Sequence, residues 1–302
     1  MRAQPLVWLQ NRMGKNLVLL PPYVWMLLFF LLPFGFVLKI SFSEAVIASP
    51  PFAPLLEYDP EEGILNAVFR VFNYQYLIED TLYLKAYLGS IKIAAVSTLI
   101  CLLIGYPFAL GIARAPKSRQ PLLLMALMLP FWTSLLIRVY AWIGILRQDG
   151  VLNNLLLSLG IIDEPLIMLQ TTFATYVGIV YAYLPFMVLP LYAVLEKQDL
   201  TLLEASRDLG ASPLRSFFDV TLPLSIPGII SGSMLVFIPV IGEFVIPTLL
   251  SGESTLMIGR VLWTEFFNNR DWPVASAVAI IMLLVLIIPI IVFQNQQAKQ
   301  ER

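Results

Sequence analysis

Residues 199–223 read Asp199-Leu-Thr-Leu-Leu-Glu-Ala-Ser-Arg-Asp-Leu-Gly-Ala-Ser-Pro-Leu-Arg-Ser-Phe-Phe-Asp-Val-Thr-Leu-Pro223. This segment has the pattern of two short helices joined by a turn. Thr201 and Glu204 have the spacing of a capping box, in which each side chain satisfies a free backbone amide at a helix start. Gly210 suits the left-handed residue that ends a helix, and Ser212 followed by Pro213 suits the start of the next one. We predict a helix–turn–helix whose second helix is ended by Pro223.

Each of the two predicted helices has an apolar face. The apolar positions are Leu202, Ala205 and Leu209 in the first helix, and Leu214, Phe217 and Phe218 in the second. A helix pair of this kind lying against a membrane presents a rigid element to the solvent, as mechanical coupling to another protein requires. An amphipathic connector that only rests at the interface would show the same periodicity, so the pattern leaves both interpretations open.

The chain on both sides of this segment is strongly apolar. Of its 302 residues, 59% are hydrophobic and 13% are charged, and the mean hydropathy is +0.81. Because a soluble domain carries about 25% charged residues, we predict that lipid surrounds most of this chain. The net charge of −1 gives no reason to expect a nucleic-acid partner, and the absence of histidine removes the commonest metal ligand. A single cysteine excludes a disulfide framework.

Six segments satisfy the criterion of about 20 apolar residues for a transmembrane helix. They are Leu17–Leu38, Tyr87–Ala113, Pro121–Leu146, Thr171–Leu195, Pro227–Leu250 and Val274–Phe293. Each segment should be helical, because backbone exposed to lipid must satisfy its own hydrogen bonds. The predicted fold class is therefore an all-α polytopic membrane protein with six transmembrane helices.

Lys and Arg concentrate on one side of these predicted spans. They occur in the N-terminal tail, at Arg2 and Arg12, and in the Arg114–Gln120 and Glu196–Leu222 loops. Since basic loops stay on the cytoplasmic side, we predict that both termini and the 199–223 segment are cytoplasmic. The opposite loops are acidic, which reflects either the exclusion of basic residues or a mouth that attracts cations.

We expect the chain to form one membrane domain. Residues 1–86 would hold the N-terminal tail, the first transmembrane helix and a long outer loop, 87–293 the main transmembrane domain, and 294–302 a cytoplasmic tail. No cluster of His, Cys or paired acids supports catalysis, and no G-x-x-x-x-G-K-[ST] motif occurs for binding a nucleotide. We therefore predict no enzymatic activity, no catalytic residue and no metal site.

The 199–223 segment resembles the EAA loop of ABC importer permeases. Its spacing is Glu204-Ala205-Ser206, three residues, Gly210, nine residues, and then Val220-x-Leu222-Pro223. The pattern of that family is EAA, three residues, G, nine residues, and I-x-LP. Ser206 in place of the second Ala and Val220 in place of Ile are mild departures from it.

This resemblance implies a type I ABC importer permease (MetI-like) fold over roughly Tyr87 to Phe293. It also implies the residues that couple the chain to an ATPase, which are Glu204, Ala205, Ser206, Gly210 and Pro223. The implied partners are a second, homologous permease that completes a heterodimer, and two cytoplasmic ATPase subunits. ATP and Mg²⁺ would be bound by those ATPases, so no cofactor is expected on this chain.

Four further stretches are similar to polyamine importer permeases, especially the putrescine type. They are Arg138–Leu146, Tyr181–Pro190, Gly242–Pro247 and Phe266–Pro273. The similarity implies a polyamine cargo, a periplasmic polyamine-binding protein as a partner, and the bacterial inner membrane as the location. The alternatives are an ABC permease for another small cargo, or a stand-alone secondary transporter, which would need more intramembrane ion-coupling groups than the sequence contains.

Glu243 falls inside the predicted fifth span, where a charge marks a transport pathway or a buried partner. Its carboxylate could bind an ammonium group in transit. An ion pair with Arg138 is the alternative, because a rise of about 1.5 Å per residue places both residues at a similar depth.

Five aromatic residues and one further acid complete the candidate substrate pathway. They are Trp132, Tyr140, Trp142, Tyr181, Tyr183 and Asp271. The aromatic rings could form cation–π walls for ammonium groups. They could equally anchor the chain at the membrane interface or pack helices together, and their positions in the sequence do not separate these roles. Gly228 and Gly232 likewise suit either a subunit contact or internal helix packing.

Overall fold

A computed structural model describes residues 18–59, 64–67, 69–252 and 255–300 of the chain. The N-terminal tail with Arg2 and Arg12, and the predicted start of the first span at Leu17, lie outside the described residues. The chain divides into two units, one formed by Met1–Glu79 with Glu265–Ile281 and the other by Asp80–Thr264 with Met282–Arg302.

The first unit contains an apolar helix followed by a short hairpin. Helix α1, Val18–Ser41, is almost entirely exposed along its apolar length, as expected for a helix that faces lipid. Strands β1 (Leu56–Asp59) and β2 (Ile64–Ala67) then pair antiparallel, and helix α2, Phe72–Glu79, follows them. The amide of Asn73 donates hydrogen bonds to the carbonyls of Ser41 and Ser43, at 2.9 and 2.8 Å, and so fixes α2 to the end of α1.

Most of the remaining helices belong to the second unit. They are α3 (Thr81–Arg114), α4 (Gln120–Trp132), α5 (Leu135–Leu146), α6 (Val151–Ser158), α7 (Thr172–Leu195), α8 (Thr201–Asp208), α9 (Pro213–Ile241), α10 (Val245–Leu250) and α11 (Ile258–Trp263). Helix α12, Trp272–Gln300, begins in the first unit and continues in the second.

Among the described residues, five helices are long and apolar enough to cross a membrane, namely α1, α3, α7, α9 and the Trp272–Ile291 part of α12. A sixth span is formed if the bent pair of Gln120–Trp132 and Leu135–Ser158 crosses as one. The prediction of an all-α polytopic membrane protein is thereby confirmed for the membrane-spanning helices. Along the sequence, the β1–β2 hairpin comes between the first and second spans.

The predicted third span, Pro121–Leu146, is not one straight helix. Its two parts belong to the helical segments Gln120–Trp132 and Leu135–Ser158, which meet at an angle of 87°. Pro130 lies in a tight 3₁₀ turn at the end of α4, and Thr133 and Ser134 have extended backbone conformations. Because proline lacks an amide hydrogen, the helix ends there and α5 begins in a new direction.

Helices α3, α7 and α9 pack against one another and form the centre of the second unit. The approach of α9 to α7 is close at Gly232, where an added Cβ would lie 2.8 Å from Sδ and 2.9 Å from the carbonyl oxygen of Met187. Gly228 meets Leu191 in the same way, at 3.1 Å from its Cα. Both glycines therefore serve internal helix packing.

The predicted fifth span, Pro227–Leu250, was wrong at both ends. Helix α9 begins at Pro213, so it joins the 199–223 segment to the membrane without interruption, and it ends at Ile241. Gly242 and Glu243 then form a turn before α10 begins at Val245. The sequence did not reveal this break, because the apolar run continues across it. Periodicity does not distinguish one long helix from two apolar helices in succession.

Candidate functional site

Helix α8 begins differently from the sequence prediction. The carboxylate of Asp199 accepts a hydrogen bond of 3.0 Å from the amide of Thr201. Thr201 is therefore the first helical residue, with no side-chain cap at Leu200, and the predicted Thr201–Glu204 capping box does not form. Asp199 stands two residues ahead of Thr201, and its carboxylate takes the amide that Glu204 would bind in a capping box.

The turn between α8 and α9 follows the prediction. Gly210 has a φ of +82°, in the left-handed region. Its amide bonds to the carbonyl of Arg207 at 2.8 Å, and the amide of Ala211 bonds to the carbonyl of Ser206 at 3.1 Å, which is the Schellman pattern of a helix end. The hydroxyl of Ser212 then accepts from the amide of Arg215 and caps the start of α9.

A hydrogen bond between two serine hydroxyls joins the two helices of the segment. Oγ of Ser206 lies 2.9 Å from Oγ of Ser216, which is buried. Ser206 is one of the two positions at which this chain departs from the EAA pattern. The sequence offered no signal for this contact, since it depends on the angle of the turn at Gly210.

Pro223 does not end the second helix, contrary to the prediction. A π-helical turn at Phe217–Thr221 precedes it, and the amide of Leu222 bonds to the carbonyl of Phe217. In this wider turn the backbone bonds join residues five apart. The helix then continues through Pro223 although that residue has no amide hydrogen to donate. The result is a continuous helix α9 from the turn into the apolar span.

The two helices enclose an exposed groove of about 430 Å³. Its lining includes Leu202, Ala205, Leu209 and Val220, and an ion pair of 3.2 Å between Arg215 and Asp219. Leu209 is 90% exposed, and Glu204 is exposed on the same helix. Such an apolar surface on a segment outside the long spans is typical of a site that a partner protein covers.

Polar contacts hold this segment to the ends of α3 and α7. Gln198 accepts a hydrogen bond from Arg114 at 3.3 Å and donates one to the carbonyl of Thr221 at 3.1 Å. Lys117 and Glu196 form an ion pair of 2.9 Å. The hydrogen bond from Lys117 is the main reason that the pKa of Glu196 lies below its ordinary value.

A second group of residues surrounds Glu243 at the other end of α9. The side chain of Glu243 is buried, with 8% exposure. Its Oε1 accepts hydrogen bonds from the amides of Val245 and Ile246, at 3.0 and 3.4 Å, so the carboxylate caps α10. Its Oε2 accepts a hydrogen bond of 2.7 Å from the hydroxyl of Tyr183 on α7.

The backbone of this turn is covered by α11. A Cβ added at Gly259 would lie 2.3 Å from the carbonyl oxygen of Gly242 and 2.9 Å from that of Glu243, so only glycine permits this approach. Phe244, in the turn, stacks on Trp263 of α11, with ring centroids 4.5 Å apart. Sequence reasoning missed this pair, because Trp263 is distant from Phe244 in the sequence and only the fold brings the two rings together.

Arg138 does not form the alternative ion pair with Glu243 in this structure. Its guanidinium instead lies over the ring of Phe131, with Cζ 4.6 Å from the centroid. Its Nε and Nη1 are buried and have no hydrogen-bond partner among the described residues.

The other candidate pathway residues are dispersed. Trp142 and Tyr181 contact each other edge to face, with centroids 5.4 Å apart, whereas Trp132 and Tyr140 are 75% and 61% exposed. Only Tyr183 among the aromatic candidates bonds to Glu243 in the described part of the chain.

Asp271 belongs to the first unit. Its carboxylate accepts a hydrogen bond of 3.0 Å from the amide of Val274 at the start of α12. Burial raises the pKa of Asp271, and that hydrogen bond opposes the shift. Together with Asn269 and Arg270 it lines a cavity of about 300 Å³ in the same unit.

Long apolar helices, a buried carboxylate at a helix break and an exposed helical loop define a membrane transport subunit rather than an enzyme. The chain belongs to the family of binding-protein-dependent transport system inner membrane components, which it matches over residues 16–300. It is therefore a multi-pass component of the inner membrane. Membership of a transport family also confirms the prediction that the chain is not an enzyme.

The relatives of this chain include transport permeases of similar length. It is 41% identical over 269 residues to the spermidine/putrescine transport system permease protein PotB of Escherichia coli (strain K12), with 89% of this chain and 92% of PotB covered. The predicted likeness to polyamine permeases is confirmed by this match.

Two solved structures share the fold. One is a bacterial ABC transporter involved in the import of the acidic polysaccharide alginate, with a TM-score of 0.72 and 16% identity over 98% of this chain and 99% of that one. The other is the MetNI methionine ABC transporter in inward-facing conformations, with a TM-score of 0.54 and 15% identity over 71% of this chain and 94% of that one. The predicted ABC importer permease fold is confirmed.

Proposed function

We propose that this chain is one of two permease subunits of an ATP-driven importer that moves putrescine or a related polyamine from the periplasm to the cytoplasm. The name of PotB states that cargo for a relative that is 41% identical over most of both chains. A cationic cargo also suits a buried carboxylate, because an ammonium group can replace the solvent that the carboxylate has lost.

The observation that carries this proposal is the continuity of α9. Its 29 residues, Pro213–Ile241, run from the exposed groove of the 199–223 segment to the turn that holds Glu243. At about 1.5 Å per residue the helix is about 43 Å long, so one rigid element connects a docking surface to a charged site in the membrane.

The 199–223 segment is the proposed docking site for an ABC ATPase. Glu204, Ala205 and Gly210 lie on or beside the exposed groove, Ser206 joins its two helices, and Pro223 lies beyond the π-helical turn. ATP and Mg²⁺ would be bound by two such ATPases, and their closure would tilt α9.

The remaining partners follow from the family and from the direction of transport. A homologous second permease would complete the pathway as a heterodimer, and a periplasmic polyamine-binding protein would deliver the cargo. The basic residues around the 199–223 segment, such as Arg114, Lys117 and Arg207, support the proposal that this segment and both termini are cytoplasmic.

The proposed cargo site is centred on Glu243 and Tyr183, which contact each other. Trp142 and Tyr181 form an aromatic pair that suits an ammonium group. Trp132, Tyr140 and Asp271 are proposed to contribute at other stages of the pathway.

The test is ATP-dependent uptake of labelled putrescine by the complete transporter in proteoliposomes with its binding protein. We expect spermidine to inhibit this uptake. Lysine carries two amines but also a carboxylate, and it should not inhibit. We also expect Glu204→Ala to reduce both uptake and copurification of the ATPase, with Glu164→Ala, an exposed acid far along the chain, as the matched control. Uptake without ATP, or a Glu204 variant equal to the control, would contradict the proposal.

A further inference from the structure

Arg138 is a partly buried cation without a counter-ion in the described part of the chain. Two of its guanidinium nitrogens, Nε and Nη1, are buried and make no hydrogen bond to any described residue. An arginine side chain keeps its charge in proteins, so burial leaves it in need of an acceptor. The ring of Phe131 offers it only a cation–π contact.

An unbroken row of aromatic rings connects this cation to Glu243. Phe131 contacts Phe186 edge to face, with centroids 5.5 Å apart, and Phe186 contacts Tyr183 at 6.0 Å. The hydroxyl of Tyr183 then bonds to Glu243. The guanidinium and the carboxylate therefore occupy the two ends of one cluster of side chains.

The backbone brings the same groups together. Helix α5, which carries Arg138, packs against α7, which carries Tyr183. It also packs against α10, whose first amides are capped by Glu243. A small displacement of α5 relative to α10 would therefore change the distance between Arg138 and Glu243 directly.

The carboxylate has capacity for a further partner. Oε1 of Glu243 accepts two amide hydrogens, whereas Oε2 accepts one hydroxyl hydrogen, from Tyr183. Each carboxylate oxygen can accept two hydrogen bonds, so Oε2 can receive one more donor. An ammonium group of the cargo and the guanidinium of Arg138 are both suited to that position.

We propose that Arg138 is a second partner of Glu243, which pairs with the carboxylate in the transport state that releases the cargo. The inference rests on the proposed function, since it assumes that Glu243 contacts a cationic cargo. Arg138 competes with the ammonium group for the same oxygen. As the cargo leaves, one cation replaces the other, so the carboxylate regains a counter-charge at release and the cargo leaves without a proton being moved.

The charge of Arg138 also bears on which cargo is accepted. In the state in which Arg138 pairs with Glu243, a cargo group must displace the guanidinium to bind. A compact ammonium group with three donors does this more readily than a bulky or neutral group. Arg138 therefore acts as a positioning and specificity residue through Glu243.

The test measures initial rates of labelled putrescine uptake by the complete transporter in proteoliposomes, over a range of cargo concentrations. We expect Arg138→Gln to lower kcat about tenfold without raising KM, because release of the cargo slows while its binding does not weaken. Arg138→Lys keeps the charge and should stay within about threefold of the original kcat. The double variant with Glu243→Gln should be no slower than Glu243→Gln alone.

Other outcomes would overturn the inference. If the losses of the two single variants multiply in the double variant, or if Arg138→Lys is as slow as Arg138→Gln, the residues act independently. If Arg138→Gln does not copurify with its partner subunits, with or without Glu243→Gln, Arg138 has a structural role, such as a pair with a carboxylate of the second permease. Failure of the unaltered transporter to take up putrescine would instead refute the proposed function.

Discussion

The hydroxyl of Tyr183 donates a hydrogen bond of 2.7 Å to Oε2 of Glu243. This contact joins α7 to the turn after α9 across 60 positions of the sequence. Both groups belong to apolar segments, in which an unpaired carboxylate would be costly. The bond therefore identifies Glu243 as a charged residue in an apolar segment of the second unit. A charge in such a place lowers stability and is typical of a functional position.

Replacing Glu243 by Gln tests its role in transport. The amide oxygen of Gln can still accept from the amides of Val245 and Ile246, so α10 should remain capped and the complex should assemble. The lost charge should lower kcat/KM for putrescine at least about tenfold, or about 1.4 kcal/mol of transition-state stabilisation. Initial uptake rates in proteoliposomes measure this.

A companion variant is Tyr183→Phe, which removes one donor and leaves the carboxylate charged. Loss of one hydrogen bond to a charged group costs about 1.5–3 kcal/mol, so thermal stability should fall, while kcat/KM should fall less than in the Glu243 variant because the charge remains. Unchanged transport kinetics in the Glu243 variant would assign this residue to structure alone.

Replacing Gly210 by Ala tests the shape of the proposed docking segment. The φ of +82° at Gly210 lies where a side chain costs about 1–2 kcal/mol, so the Schellman turn should be distorted. We expect weaker copurification of the ATPase and slower ATP-dependent uptake. Gly111→Ala is the control, because Gly111 lies in α3 with no atom within 4 Å of an added Cβ. Equal behaviour of the two variants would refute a role for the turn.

Replacing Gly232 by Ala tests the packing of α9 against α7. The added methyl group would lie 2.9 Å from the carbonyl oxygen of Met187, which is backbone and has little freedom to move. Overpacking of this kind costs about 1–3 kcal/mol, so the melting temperature of the purified complex should fall. Gly144→Ala in α5 has open space around it and should leave that temperature unchanged. A stable Gly232 variant would show that the two helices separate readily.

Replacing Ser206 or Ser216 by Ala tests the contact between the two helices of the segment. Their hydrogen bond of 2.9 Å should contribute about 1 kcal/mol to the local stability of the turn. Amides of residues 201–221 should then exchange about fivefold faster in either variant. The double variant should be no faster than the singles, since both remove the same bond, whereas additive effects would mean that the hydroxyls act separately.

Local signals explain what could be predicted of the fold. Apolar runs located the spans, and the turn residues Gly210, Ser212 and Pro213 have the roles that their backbone preferences indicate. Other predictions failed because neighbouring residues compete for the same group: Asp199 binds the amide of Thr201, which the predicted capping box assigned to Glu204. The end of α9 at Ile241 could not be read, because Gly242 and Glu243 interrupt an apolar run too briefly to change its pattern.

The candidate site was less accessible to sequence reasoning, because its contacts connect distant positions. Spacing placed Glu243 and Arg138 at one depth, but depth does not determine which side chains touch. Tyr183 takes the carboxylate, and Phe131 takes the guanidinium. These choices depend on the bend before α5 and on the break after α9, neither of which follows from composition.

Helix α9 can be treated as a lever whose far end is sensitive to small tilts. A helix about 43 Å long that tilts by about 5° carries its tip through about 4 Å. A hydrogen bond does not tolerate a displacement of that size. The 2.7 Å bond between Tyr183 and Glu243 would therefore break if α7 stayed in place. A few degrees of rotation at the 199–223 segment would thus suffice to release the carboxylate, without bending or melting any part of the lever.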